Sequence, residues 1–273
     1  MTGGREQGFA LILVLWSLVL FTLITTQLVT AGRTEAKLAR NLRAATAAEM
    51  VADSAVHEAM FHMLDRSPDG WGSMVGRPTA ARRRLVLPGG TATILIEDEA
   101  GRVNPNQASE ALLQALLRGA GADAGSARGI AAAIADWRSI GTNARPFGAK
   151  APEYAAAGRD YSPPEAPFRT VEEVGLVLGM TPTLLARLTP YLTIAYDGDP
   201  DPTFAQPIVV QALRDATGQQ DLSGGGQGDR TVAITAEAET PDGGRYIRHA
   251  VVRLGKGPTG RPYWVFDWRR ASD

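Results

Sequence analysis

The chain has 273 residues, a formal charge of −1 and no cysteine. The missing cysteine excludes disulfides, thiolate metal sites and cysteine nucleophiles, and the near-zero charge gives no general attraction to nucleic acid or anionic lipid. The length is enough for a membrane segment and one or two domains of ordinary size.

The first element is an apolar run near the amino terminus. Residues 7–32 carry no charged side chain, and the strongly apolar part, residues 9–28, is about 20 residues long, enough to cross roughly 30 Å of hydrocarbon as a helix. A cleavable secretory signal has a shorter apolar core of about 7–15 residues, although Val29-Thr30-Ala31 would serve as a cleavage site. A buried helix of a soluble protein is the third interpretation. The run favours a membrane-spanning helix.

Residues 33–64 are rich in Ala, Leu, Glu, Arg and Met, which are good helix formers. Small apolar residues recur among them at three- and four-residue steps, which predicts one closely packed helix face. The two runs together predict a helix of about 55 residues, with its first half in lipid and its second half on a soluble domain.

Four segments show the composition of strands: residues 91–98, 231–239, 245–254 and 262–270. Pro241-Asp242-Gly243-Gly244 joins the second to the third in a hairpin-like turn. Period-two alternation in the second and fourth predicts one buried face, so we expect one antiparallel sheet packed on the long helix. The nearby cluster Arg82, Arg83 and Arg84 favours a solvated edge over a nucleic-acid patch.

The stretch between the first and second strands reads as helical. "PNQASEALLQAL" (105–116) and "PTFAQPIVVQAL" (202–213) form a near-repeat, in which Asn104 and Asp201 precede the proline. Asn or Asp before proline is typical of helix starts, and chance similarity of two such starts is the alternative explanation. Residues 170–193 predict a further helical hairpin with its turn at 179–182.

The sequence shows no enzyme. His57 and His62 are five residues apart, so they do not share a helix face as zinc ligands four apart would, and no P-loop or dinucleotide fingerprint occurs. Asp197, Asp199 and Asp201 alternate as at the start of a calcium loop.

Two positions argue against that calcium loop. Pro202 stands where the loop requires glycine, and Ile208 stands where its closing glutamate belongs. A polar loop is therefore favoured over a metal site.

These residues together resemble the minor pseudopilin K family of type II secretion systems. The resemblance rests on "REQGFALILVLW", "EDEAGRVNPNQA" (97–108), "IADWR" (134–138), residues 167–194 and the terminal "RPYWVFDWR". It implies an α+β fold: a pilin-like long N-terminal helix packed on a small antiparallel sheet, with a large all-helical insertion of the SAM or helix-hairpin-helix type. The implied divisions are a leader (1–8), a transmembrane helix (9–32), an amphipathic helix with the first strand (33–99), the inserted helical domain (100–212) and the remaining strands (213–273).

The resemblance also implies how the chain matures. A prepilin peptidase would cut between Gly8 and Phe9 and methylate Phe9, leaving the helix as a single-pass inner-membrane anchor with the soluble part in the periplasm. The positive-inside rule favours the opposite orientation, because the amino side of the span offers only Arg5. The other side carries Arg33, Lys37, Arg40 and Arg43. The cleavage motif nevertheless requires a cytoplasmic amino end.

The implied function is that of a minor pseudopilin at the tip of the periplasmic pseudopilus, which supports its assembly and protein export. The implied partners are other minor pseudopilins, the major pseudopilin, the prepilin peptidase and the inner membrane, without nucleic acid. Most pseudopilins carry glutamate at the fifth mature position; Leu13 stands there and fits a place with no subunit above. We expect the small residues to form the assembly face: Ala45, Ala48, Ala52 and Ala55.

No cofactor is assigned. Calcium is implied by the resemblance alone, and "ADWRSIGTNARP" is too poor in carboxylates to assign ligands. An alternative function is a membrane-anchored DNA-binding protein, because residues 170–193 resemble a helix-hairpin-helix module; there, however, only Arg187 is basic, against Glu172 and Glu173. A secreted protein cut after Ala31 is the third alternative.

Overall fold

The computed structural model describes residues 4–65, 71, 82–220, 230–255 and 260–271, without the side chains of 4–10 and 28–34. The helices are α1 (Gly4–Leu64), α2 (Glu110–Gly119), α3 (Ala124–Arg138), α4 (Ala151–Ala156), α5 (Pro182–Leu188) and α6 (Pro207–Thr217). The strands are β1 (Arg83–Leu87), β2 (Gly90–Asp98), β3 (Arg230–Glu239), β4 (Arg245–Leu254) and β5 (Tyr263–Arg270). Short 3-10 helices cover Glu99–Gly101, Glu172–Leu176 and Thr189–Tyr191. The predicted α+β class is confirmed.

Helix α1 is continuous through both the apolar run and the Ala-rich run, because neither contains a proline. Its second half packs on β2, β3 and β4. The resulting sheet core consists of small and β-branched side chains from α1 and from the inward positions of three strands: Val51, Ala52, Ala55, Val56, Ala59, Met60, Ile94, Ile96, Val232, Ile234, Ala236, Ala250 and Val252. The small helix residues let the sheet approach the helix backbone closely.

The sheet has five antiparallel strands in the order β1-β2-β3-β4-β5, one more than the sequence predicted. The additional strand, β1, contains Arg83 and Arg84 of the arginine cluster. It pairs with β2 across a tight turn, with Leu87 opposite Gly90. The prediction missed it because five residues at a sheet edge need no regular apolar alternation.

Strand β5 does not have the buried face that its alternation predicted. Tyr263, Trp264, Val265 and Phe266 are each 38–50% exposed. Two causes act together: β5 is an edge strand, and the register shifts between Val251 and Val252, as at a β-bulge, so that the side chains of β5 do not keep one alignment with β4. Aromatic and β-branched residues here satisfy strand propensity without being buried.

The insertion, defined here as residues 99–220, leaves the sheet at the end of β2 and has its own core. That insertion core unites helices α2, α3 and α6 with the irregular segments around α4 and α5. Its largest fully buried side chains are Leu116, Leu117, Ile130, Tyr154, Val174 and Val209. Helix α6 continues to Thr217, so the domain boundary predicted at 212 falls inside a helix.

The near-repeat is a structural repeat, but its helices begin later than predicted. The side chain of Asn104 accepts a hydrogen bond from the N–H of the residue two positions on, and its carbonyl accepts from the residues three and four on; Asp201 does the same. These turns precede the helices, which begin at Glu110 and Pro207, and α2 and α6 pack side by side. Asn and Asp therefore stabilise turns here rather than capping the helices.

The predicted hairpin in residues 170–193 is also only partly helical. Its first arm is the 3-10 helix Glu172–Leu176, and its second arm is the two-turn helix α5. The N–H of Val174 donates to the carbonyl of Val171 at 3.1 Å, the three-residue spacing of a 3-10 helix, and Gly179 has the positive φ of a turn. Val103 forms an isolated parallel bridge with Leu192, which ties the end of this segment to the start of the insertion.

Candidate assembly surfaces and the sheet–insertion junction

The predicted assembly face of α1 is mostly the face that the chain itself covers. Ala48, Ala52 and Ala55 are 0% exposed because they pack against the sheet, whereas Ala45 is exposed. That prediction was wrong for these three residues. Small side chains permit close approach, but the nearest partner is the molecule's own sheet.

Several large apolar residues of α1 are exposed. Met50 and Phe61, 65% and 62% exposed, lie on the side of α1 opposite the sheet. Leu38 and Leu42, 68% and 66% exposed, lie before the buried stretch of α1 that begins at Ala48. Leu13 belongs to the first half, where the described apolar side chains are exposed as well. These residues, unlike Ala48, Ala52 and Ala55, are apolar side chains of α1 that the chain itself leaves uncovered.

A charged cluster fixes α1 to the sheet, and sequence reasoning missed it. The guanidinium of Arg248, on an inward position of β4, donates to Asp53 at 2.6 Å and to Glu49 at 2.8 Å, while the Tyr246 hydroxyl also donates to Glu49 at 3.0 Å. The ring of Trp268 lies 5.5 Å from the guanidinium carbon. The available sign was the acidic pair four residues apart on α1, beside the small apolar face.

The insertion joins the sheet through buried acids at the end of β2. Asp98 accepts the N–H of Ala100 at 3.0 Å and pairs with Arg230 of β3 at 3.2 Å. Glu99, 2% exposed, lies 2.7 Å from Arg102. Burial raises the pKa of both carboxyls, against the opposing effects of their hydrogen bonds and arginines.

Backbone contacts tighten the same junction. The N–H of Asp201 donates to the carbonyl of Ala100 at 2.7 Å. Gly101 has no room for a Cβ, which would collide with the carbonyl of Phe204. The start of the insertion is therefore held directly against the segment that precedes α6.

A second set of contacts lays the insertion on the sheet face opposite α1. Arg253 of β4 donates to the carbonyl of Ala195 at 3.1 Å and pairs with Asp197 at 3.3 Å. Ala195 forms a small apolar cluster with Ala233 and Val251, whose side chains point away from α1. Of the alternating acids, Asp197 therefore forms an ion pair with Arg253, and Asp201 stabilises a turn.

The hairpin that resembles a DNA-binding module, residues 170–193, uses its charged side chains in contacts with other parts of the chain. Arg187 donates to the carbonyl of Ala120 at 3.4 Å, and Glu172 lies 3.7 Å from Arg269 of β5. The basic group expected to contact phosphate is therefore turned to an internal carbonyl.

This arrangement matches known proteins. Residues 90–197 match the model of the family described as "Type II secretion system (T2SS), protein K". These residues, which include β2 and most of the insertion, are therefore similar to protein K. The resemblance predicted from the sequence is confirmed for these residues.

The fold of the whole chain agrees with that of GspK in the crystal structure of the GspK-GspI-GspJ complex from the enterotoxigenic Escherichia coli type 2 secretion system. The TM-score is 0.59 at 14% identity, and the match covers 89% of this chain and 99% of that chain. None of the curated protein sequences matches this chain significantly.

The structure describes only part of the predicted cleavage site and of the predicted membrane anchor. Gly8 is described as backbone of α1, whereas the side chains of Phe9 and of residues 28–34 lie outside the described part of the chain. Within the described part of the chain, no helix is both long and apolar enough to cross a membrane.

Proposed function

We propose that the chain is a minor pseudopilin of the type II secretion system, placed at the tip of the pseudopilus and supporting its assembly and protein export. The first half of α1 anchors it in the inner membrane, and the remainder lies in the periplasm. The observation that carries this proposal is the position, relative to α1, of the region that is similar to protein K.

Contacts along α1 define that position. Tyr246 contacts Glu49, and Arg248 contacts Asp53. The next inward position of β4, Ala250, pairs with Trp268, whose ring centroid lies 5.2 Å from that of His57. Strand β4 therefore runs in the direction of α1, away from its amino-terminal half.

The chain leaves the sheet at Asp98 and re-enters it at Arg230, both at the far end of that strand. Asp98, the last residue of β2, pairs with Val232, and Arg230 at the start of β3 pairs with Leu254 at the end of β4. The insertion thus emerges where the sheet is farthest from the amino-terminal half of α1. A subunit stacked on that end would collide with it, which supports a tip position.

Leu13 supports the same position. It occupies the place where most pseudopilins carry a glutamate that can pair with the amine of a neighbouring subunit. A leucine cannot neutralise an amine, and leaving a charge buried without a partner is costly. A subunit with nothing stacked above it does not need the carboxylate.

The proposed partners are other minor pseudopilins and the major pseudopilin, reached through the outward face of α1. The protein of similar fold was crystallised in a complex with GspI and GspJ, which supports this class of partner. The exposed apolar residues Met50 and Phe61, which share that face, offer area for helix packing.

Maturation supplies the direct test of the anchor. We expect the prepilin peptidase to cut between Gly8 and Phe9 and to methylate Phe9, so mass spectrometry should find methylated Phe9 at the mature amino terminus. Gly8→Val should leave the precursor uncut in the membrane, because a branched side chain obstructs the extended backbone in the peptidase. Normal maturation of that variant, or a mature chain beginning at Gly32, would refute the anchored pseudopilin.

A further inference from the structure

A buried ammonium group lies at the carboxyl end of α3. Lys150 is 3% exposed. Its Nζ donates to the main-chain carbonyl of Asp136 at 2.7 Å and to that of Ser139. Carbonyls at a helix end lack intrahelical donors and carry the negative end of the helix dipole, so a cation is stabilised there.

The loop between α3 and α4, residues 139–149, closes around Asp136. This aspartate is 1% exposed, and its Oδ2 accepts the N–H of Arg145 at 3.1 Å. The Nε of Arg145 lies 3.4 Å from Oδ1. A Cβ at position 148 would collide with the carboxylate of Asp136, so only glycine fits at this position of the loop.

The donors at this point do not fit the calcium that the family resemblance implies. Calcium takes 6–8 oxygen ligands, usually with several carboxylates. The loop region offers two carbonyls and the carboxylate of Asp136, but two cationic side chains already contact them. Glu153 is used at the start of α4, where it accepts the N–H of Lys150 at 2.8 Å.

The rest of the described chain offers no alternative calcium site either. Over the ranges that the structure covers, no three His, Asp or Glu residues lie close enough together to hold a metal ion. The acids at the sheet junction, Asp98 and Glu99, are paired with Arg230 and Arg102 instead.

We propose that the ammonium of Lys150 is the resident cation of the α3–α4 loop. It joins the end of α3 to the start of α4 and holds the loop closed. The region of this chain that is similar to protein K therefore keeps its structure without calcium. This proposal does not depend on the position of the chain in the pseudopilus.

The test compares calcium with the lysine charge in the full-length chain, purified in detergent. Thermal unfolding and amide hydrogen exchange of residues 136–150 are measured with millimolar calcium and with excess chelator. We expect the unfolding midpoint and the exchange of the loop to be the same in both buffers. A midpoint that rises with calcium, or a loop that opens with chelator, would overturn the proposal.

Substitution of Lys150 is the second part of the test. Lys150→Met keeps the length and the apolar stem but removes the ammonium, and should lower the midpoint by about 5 °C and increase exchange in 139–149. Lys150→Arg retains a cation and should keep most of the protection, even if the methionine variant fails to fold. Lys37→Met, at an exposed position of α1, is the matched control and should change neither readout. Wild-type exchange in Lys150→Met would refute the role of the ammonium.

Discussion

Arg248 occupies an inward position of β4, between Tyr246 and Ala250, where period-two patterning calls for an apolar side chain. Its side chain is only 7% exposed, and Glu49 and Asp53 of α1 satisfy its donors. Single residues of this kind determine how α1 docks on the sheet, because the charge is stable only in one register of helix against strand.

Replacing Arg248 by methionine should destabilise the fold by about 2–3 kcal/mol, since it removes charge-assisted hydrogen bonds to both acids and leaves Glu49 with only the Tyr246 hydroxyl. Denaturant unfolding of the full-length chain in detergent would measure this loss. Arg245→Met is the control: Arg245 is 80% exposed and pairs with an exposed Glu239, so a loss below about 0.5 kcal/mol is expected. Equal effects of the two variants would contradict the docking role of Arg248.

The junction acids predict a pH dependence. Because burial raises the pKa of Glu99 above its ordinary value of 4.5, the folded state binds this proton more tightly than the unfolded state. The stability that Glu99 contributes is therefore fully present below pH 4.5 and is lost as pH rises through the folded pKa. Glu99→Gln removes this dependence.

The measurement is the free energy of unfolding of both proteins at several pH values from 4.5 to about 7. The free energy of wild type minus that of Glu99→Gln should fall as pH rises. A difference that is constant or increases with pH would show that burial does not raise the pKa of the Glu99 carboxyl.

At the scale of elements, the sequence predicted correctly those helices and strands whose residues show a regular local pattern. The continuous helix α1, the strands β2, β3 and β4 and the helical character of the insertion follow from composition and periodicity. Three features did not follow from them. Strand β1 lies at an edge and needs no core pattern, β5 keeps the composition of a strand without burial, and the small face of α1 packs inside the molecule.

The two faces of α1 predict different outcomes for the same substitution. Ala48→Glu places a carboxylate in the sheet core, where an unpaired charge costs several kcal/mol, so the soluble part should not fold cooperatively. Met50→Glu, at a 65% exposed position, should change stability by no more than about 0.5 kcal/mol but reduce co-purification with other minor pseudopilins. Unfolding melts and pull-down from cells report the two effects. Normal partner binding by a folded Met50→Glu variant would remove the outward face from the assembly surface.

The whole molecule is organised by contacts between residues far apart in sequence. Asp98 meets Arg230, Arg253 meets Asp197, and Glu172 lies near Arg269. A single sequence does not reveal such pairs, because each charge has many alternative partners until the strand order is known. The sequence indicated a helical insertion and its family, whereas its placement at the far end of the sheet came from the pairing of β2, β3 and β4.

The position at the tip is tested most directly by cross-linking in cells, which the absence of native cysteine allows with single-cysteine variants. Met50→Cys reports the outward face of α1, and Ile140→Cys, at a 90% exposed position, reports the insertion. We predict that cysteine at position 50 cross-links to another minor pseudopilin and that cysteine at position 140 cross-links to no pseudopilin. Cross-links from position 140 to the major pseudopilin, or to a second copy of this chain, would contradict the tip position.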